Sequence, residues 1–479
     1  MSKEVEMKSP NTPMDTPPVK TVLPTGRERA RLRWVTVEPI YVLAMIGNTC
    51  TALVRPLYVK DVISESYNYN ETSDNHTKCG ADQPSNGTSL SDKIQAESAM
   101  WLLYLAAASG VPAMLSTIIF GSTSDRLGRK LTMAIPLSAF AIQAAVYLFT
   151  VIFKLPLAVL FTGEVLQGLA GGYGLLFSST NAYLADATSE KQRTIRIVVA
   201  DMLQYLSGGL NQLGQGYLIK VGYIPSLAIA IGSNVAALVY IAIPLCLIET
   251  VERGSIEHQG LRQVWRSMKR LVMYNVNGRR WQMILLTLYV YFCIGQFIGV
   301  SAIYVLYGTG KPFCWLSETA GLASSLIWIS LAIGMLVGTK LFSLCLGDYW
   351  LMQISCLSFM ASYLIMGLAK STAVLYIGTF VGCLRLMSLS VARSVLSKIS
   401  HPDEIGAMLS IIACMESISF TSSLLSTSLY AATVSFLPPL TFFVYSSITV
   451  IPAGMTLALQ IFWPPRKTYV EFENPVEDK

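Results

Sequence analysis

The chain has 479 residues, 53% of them hydrophobic and only 13% charged, with a formal net charge of +6. A soluble protein of this length would carry about 25% charged residues, so a water-soluble globular fold is excluded. The basic residues gather in loops between apolar runs, which gives no indication of a nucleic-acid partner.

Residues 1–33 are polar, Pro-containing and basic, without the apolar core of a cleavable signal. They read as a disordered cytosolic tail. Twelve apolar runs follow, each long enough to span a bilayer: roughly 34–58, 97–120, 131–153, 156–185, 195–219, 224–248, 282–309, 318–345, 350–369, 371–398, 405–433 and 437–463. In lipid, backbone groups have to be satisfied within their own segment, so the runs are expected to be helices. The expected fold is an all-α membrane protein with an N-terminal six-helix half at 34–248 and a C-terminal one at 282–463. A basic cytosolic linker at 249–281 joins them, and a cytosolic tail occupies 464–479.

Lys and Arg set the orientation. Arg27, Arg29, Arg31 and Arg33 precede the first span, Arg126, Arg129 and Lys130 follow the second, and Arg253, Arg262, Arg266, Lys269, Arg270, Arg279 and Arg280 fill the linker. These segments and both termini then face the cytosol. The loop 59–96 falls outside, and it carries three glycosylation sequons at Asn70, Asn75 and Asn86. The two signals are independent and agree.

Charges inside spans are costly, about 2.5–3.5 kcal/mol each on an insertion scale, and usually line a cavity. The mid-span candidates are Glu164, Asp201, Glu416, Arg385 and Arg393. Two polar stripes recur at helical spacing. One is Asp201, Gln204, Gly208, Asn211 or Gln212, and Gln215; the other is Glu164, Gln167, Gly171, Gly174, Ser178 and Asn181. They suit a water-filled path better than isolated ion pairs do. The three histidines, His76, His258 and His401, all lie in loops. A coupled proton would therefore travel on a carboxylate: Asp201 first, Glu164 second, Glu416 third. Sodium on the same carboxylates stays open. Arg393 and Arg385 would attract an anionic solute, with Gln204 beside them and Tyr291 and Phe297 against its rings. The sequence contains no phosphate-binding loop, metal-ligand cluster or hydrolase triad spacing. We therefore expect no enzyme, no cofactor, no metal and no ATP-driven transport by this chain alone.

The loop GSTSDRLGRK at 121–130 resembles the major facilitator signature G-x-x-x-D-R-x-G-R-[RK], through Gly121, Asp125, Arg126, Gly128, Arg129 and Lys130. The six-plus-six division is similar to that superfamily's architecture. The resemblance implies a gating latch in which Asp125 faces the positive end of span eleven, near Glu404. QRTIRIVVAD (192–201), PFCW (312–315), RSVLSKIS (393–400) and the stretch from Gly406 to SLYAAT (428–433) resemble the proton-coupled folate transporter family of solute carriers. That resemblance covers about residues 34–463. It implies proton coupling at Asp201, a cation at Arg393 and a disulfide between Cys79 and Cys314. The folate branch differs where this chain has Phe297, Glu164 and Gly172, and Arg385 is an extra cation. These differences favour a non-folate, lysosomal-type relative that handles steroid or bile-acid conjugates.

Tyr469-Val-Glu-Phe472 resembles a tyrosine-based sorting signal read by adaptor proteins, which would direct the chain from the plasma membrane to endosomes or lysosomes. The expected function is proton-coupled symport of an organic anion. An uncoupled facilitator or exchanger, and a non-transporting receptor, are the alternatives.

Overall fold

The computed structural model describes residues 36–68, 90–188, 190–244, 247–249, 278–342, 344–399 and 405–463. Regular structure among them is helical throughout. The first half comprises α1 (Glu38–Ser66), α2 (Leu90–Leu127), α3 (Arg129–Phe153), α4 (Leu160–Leu169), α5 (Gly172–Ala187), α6 (Glu190–Val221) and α7 (Tyr223–Ala242). The second comprises α8 (Arg279–Thr309), α9 (Ser317–Ile333), α10 (Thr339–Phe342), α11 (Asp348–Leu368), α12 (Thr372–Val381), α13 (Met387–Ile399), α14 (Ile405–Ile418), α15 (Phe420–Thr433), α16 (Leu440–Ile448) and α17 (Val450–Phe462).

Among the described residues, nine helical segments are long and apolar enough to cross a membrane. The other three expected spans are helical too, but each departs from a simple apolar rod. The run 156–185 is split into α4 and α5, the run 195–219 is the polar α6, and the run 405–433 is split at Ser419 into α14 and α15. The outer loop expected at 59–96 is shorter than the hydropathy suggested. α1 continues to Ser66 and α2 begins at Leu90, because a helix can run past the lipid boundary once its polar groups find partners. Lys60 does so, donating to the Thr309 carbonyl over 3.3 Å.

The two splits that matter most occupy corresponding places in the two halves. In the first half, Gly171 (φ +82) and Gly172 (φ +52) take left-handed backbone that favours glycine and interrupts the helix. The freed Gly171 carbonyl accepts from Thr117 Oγ1 at 3.0 Å. In the second half a 3₁₀ turn at Gly382–Leu384 separates α12 from α13. Three serines of α11 bond carbonyls at and before this break: Ser355 to Leu384 (2.8 Å), Ser358 to Val381 (2.6 Å) and Ser362 to Gly378 (2.7 Å).

Within each half the packing is conventional for a bundle: α3 against α4 and α7, α11 against α12 and α16. Lipid offers no hydrophobic drive for helix association, so small residues and close backbones decide it. The broadest contact between halves is α6 with α9. A Cβ on Gly321 would stand 2.6 Å from the Gly216 Cα, and one on Gly216 would stand 2.8 Å from the Ser317 carbonyl. The backbones touch there, and no larger residue fits. At the end where α1 finishes and α2 starts, the halves are tied by Lys60 to Thr309, by Tyr430 Oη donating to Gln95 Oε1 (2.6 Å), and by the ion pair Lys220–Glu318 (2.6 Å). Outward faces carry exposed Ile142, Phe149, Leu457 and Ile461, as a lipid-facing surface requires.

Candidate functional site

Near the opposite end from those ties, Asp201 on α6, Arg393 on α13 and Glu416 on α14 meet. Arg393 Nη2 donates to Glu416 Oε1, and Arg393 Nη1 lies 3.8 Å from Asp201 Oδ2. Asp201 is 3% exposed, and its Oδ1 has no hydrogen-bond partner among the described residues. The guanidinium also lies 4.9 Å above the ring of Phe177 on α5. One cation therefore holds two carboxylates, and the contact bridges the halves: Asp201 and Phe177 belong to the first, Arg393 and Glu416 to the second. Next to it, Tyr41 donates to Asn181 Oδ1 at 3.1 Å.

One turn further along α6, Tyr205 stacks on Trp328 of α9, with ring centroids 5.8 Å apart. Phe297 of α8 meets the same indole edge-on at 5.6 Å. Gln204 is buried, and its Oε1 lacks a partner among the described residues. Tyr291 bonds Thr421 at 3.0 Å. Asp201, Gln204, Phe297, Arg393 and Glu416 thus share the region between the halves, together with Tyr205, Trp328 and Phe177, which hydropathy reading had not singled out. Aromatic residues in apolar helices look like packing; only the meeting of three helices gives these their place.

Arg393 is not the open cation expected from the sequence. Its charge is matched by two carboxylates from other helices, a pairing that sequence separation hides. The polar stripes are also corrected. On α6, Asn211 Nδ2 donates to Thr49 Oγ1 (2.8 Å) and Gln212 Nε2 to the Thr49 carbonyl (3.3 Å), so this part of the stripe binds α1 rather than lining a path. The second stripe is cut at Gly171. Gly174 faces Ser417, Asn181 faces Tyr41, and Glu164 lies on the far side of the break.

Glu164 is fully buried within the first half. Its Oε1 accepts from Arg55 Nη2 (2.7 Å) and from Tyr147 Oη (2.7 Å), and Arg55 Nε donates to Tyr147 Oη at 3.1 Å. Arg55 was missed in the sequence, although a charge near the end of the first apolar run was the available signal. Arg385 is 2% exposed; its guanidinium lies 5.6 Å over the Tyr363 ring, and its Nε donates to the Gly382 carbonyl at 2.8 Å.

In the 121–130 stretch, Gly128 takes φ +91 and precedes α3. Glu249, which the sequence placed at the start of the linker, accepts from the backbone N–H groups of Arg129 (2.9 Å) and Lys130 (3.1 Å), capping α3. Arg129 Nε pairs with Asp186 at 3.2 Å. Gly121, Asp125 and Arg126 lie on the last turns of α2; the side chains of Asp125 and Arg126, and Glu404, fall outside the described residues. Cys314 is disulfide-bonded. Cys79, the sequons at Asn70, Asn75 and Asn86, and Tyr469 and Phe472 lie outside the described residues.

The sequence profile of the Major Facilitator Superfamily matches residues 39–423. A lysosomal proton-coupled steroid conjugate and bile acid symporter of Homo sapiens is 28% identical over 431 residues, 87% of this chain and 92% of its own length. The corresponding symporter of Gallus gallus is 27% identical, over 88% of this chain and 92% of its own. A proton-coupled folate transporter of Rattus norvegicus is 25% identical, over 87% and 90%. Among solved structures, a human organic anion transporter superposes with a TM-score of 0.63 at 16% identity, covering 91% of this chain and all of its own.

Proposed function

Because the chain belongs to the major facilitator superfamily, we propose that it is a secondary active transporter that carries an organic anion together with a proton by alternating access. Twelve spans with both termini in the cytosol fit the family, the helix order and the loop charges. The amphiphilic class of solute, a steroid or bile-acid conjugate rather than folate, is supported by the higher identity to the steroid conjugate and bile acid symporters (27% and 28%) than to the folate transporter (25%) and by the aromatic group Tyr205, Trp328 and Phe297. The lysosomal relatives and the Tyr469 motif support an endosomal or lysosomal residence.

One observation carries the reading. Two carboxylates, Asp201 and Glu416, share the single guanidinium of Arg393 across the two halves. Two negative charges against one positive leave one negative charge, in a place with little water to screen it. One proton makes the cluster neutral. It also weakens the hold of Asp201 on Arg393, the part of the cluster that joins the halves. Proton binding and opening of this end are then the same event, which is what symport needs. Glu164 serves differently: it is bound to Arg55 and Tyr147 inside one half, and it positions α4 against α1 and α3.

The test is uptake of a labelled steroid sulfate at acidic and at neutral pH, in cells expressing the protein with Tyr469→Ala to hold it at the surface. Acid should stimulate uptake by the parent protein. Asp201→Asn, at equal surface abundance, should give uptake that no longer responds to pH. Retention of the full pH response in that variant sinks the assignment.

A further inference from the structure

Each half of the molecule places an arginine beside its broken helix, Arg55 half-buried and Arg385 buried, and among the described residues only one of the two has a counter-charge. In the first half, Arg55 and Tyr147 of α3 converge on the Glu164 carboxylate of α4. In the second half, Arg385 follows the break after α12 and lies over Tyr363 of α11. Helix α3 packs on α4 as α11 packs on α12, and each arginine meets a tyrosine of that packing helix. Among the described residues of the second half, none takes the part of Glu164. Among the described residues Arg385 makes no ion pair, and its Nη2 has no hydrogen-bond partner. The Gln296 carbonyl accepts from Tyr363 Oη at 3.1 Å, and the side-chain Nε2 of Gln296 is likewise without an acceptor.

A guanidinium 2% exposed in the middle of a membrane bundle needs a negative partner. The guanidinium turns back to the Gly382 carbonyl, and Nη2 is the group left for an anion. Gln296 of α8, whose carbonyl accepts from Tyr363 Oη, carries a second buried donor, Nε2, without an acceptor among the described residues. Helix α11 packs against α12, α13, α16 and α17, so the place lies inside the second half and apart from the Asp201–Arg393–Glu416 cluster.

We propose that Arg385 holds a bound anion inside the C-terminal half, in the role that the Glu164 carboxylate plays in the N-terminal half. The chemistry is that of a small monovalent anion or a single anionic group: a halide from solution, or the carboxylate or sulfate of an organic solute.

The purified full-length protein is melted in detergent in sodium gluconate, with chloride substituted stepwise at constant ionic strength, and in a second series with a steroid sulfate added. Chloride should raise the melting temperature of the parent protein saturably, by a few degrees, and Arg385→Gln should lose the response. If only the steroid sulfate gives an Arg385-dependent rise, the anion is supplied by the solute, and the site stands in that form. No rise with either, or an equal rise in Arg385→Gln, overturns it. Should Arg385→Gln fail to fold, Arg385→Lys keeps the charge but loses the fork. Its half-saturating anion concentration should then rise about fivefold or more, and an unchanged value overturns the proposal. Because the readout needs no transport and no proton gradient, its failure is distinct from failure of proton coupling at Asp201.

Discussion

Asp201 and Arg393 come from opposite halves of the molecule and lie 3.8 Å apart, with Glu416 bonded to the same guanidinium. Removing the cation alone should be worse than removing all three charges. Arg393→Met leaves the buried Asp201 carboxylate and the half-buried Glu416 carboxylate without their cation, and breaking a buried pair costs about 3–5 kcal/mol. Arg393→Met with Asp201→Asn and Glu416→Gln removes those charges too. The single variant should melt well below the parent and the triple variant should recover most of the loss. A triple variant as unstable as the single one would mean that the guanidinium stabilises the fold by packing alone.

Glu164 and Arg55 should behave as a structural pair. Glu164→Gln should destabilise the protein by about 1–3 kcal/mol, since it leaves Arg55, a quarter exposed, without its carboxylate. Arg55→Met combined with Glu164→Leu should be less harmful than either single change. Uptake by Glu164→Gln, normalised to surface protein, should keep its response to pH. Loss of that response would place Glu164 among the proton carriers.

Gly128 and Glu249 make a sharper local case. Gly128→Ala forces a Cβ onto backbone at φ +91 and within 2.8 Å of Glu249 Oε2. We expect a cost of about 1–3 kcal/mol from the backbone alone. Glu249→Ala removes the cap on α3, worth about 1 kcal/mol. The double variant should be less destabilised than the sum of the two, because the clash disappears while the backbone strain stays. Thermal melts of the four proteins give the coupling.

The α6–α9 seam should tolerate no side chain. Gly321→Val pushes against the Gly216 backbone, 2.6 Å from where its Cβ would lie. Transport should be lost or reduced more than tenfold. Gly214, on α6 with Gly216, has nothing within 4 Å of a built Cβ, and Gly214→Ala should transport normally. Equal effects of the two substitutions would show that helix propensity, not contact between the halves, governs this region.

Much of the fold is legible in the sequence because lipid imposes a simple rule. A segment of sufficient apolar length has to be a helix, and helix starts and stops such as α3, α8 and α11 follow from it. The Gly121–Lys130 stretch stood out because charge and glycine are out of place between two apolar runs, but the loop expected there shrinks to Gly128, since α2 runs to Leu127 and α3 starts at Arg129. The breaks at Gly171–Gly172 and Gly382–Leu384 were not legible. Glycine is common in membrane helices, and hydropathy is blind to whether a given one takes left-handed backbone.

What the sequence determined by itself was which residues are expensive to bury: Asp201, Glu164, Glu416, Arg385 and Arg393, each a charge inside an apolar run. Only the tertiary structure decided which of these charges cancel. Arg393 gained two acids from helices α6 and α14. Glu164 gained Arg55 from α1, more than a hundred residues away in the chain. Arg385 gained an aromatic ring and no acid among the described residues. The cost of a buried charge is a property of the residue. Its compensation is a property of the neighbours that packing brings within about 4 Å, and spacing along the chain carries almost none of that information.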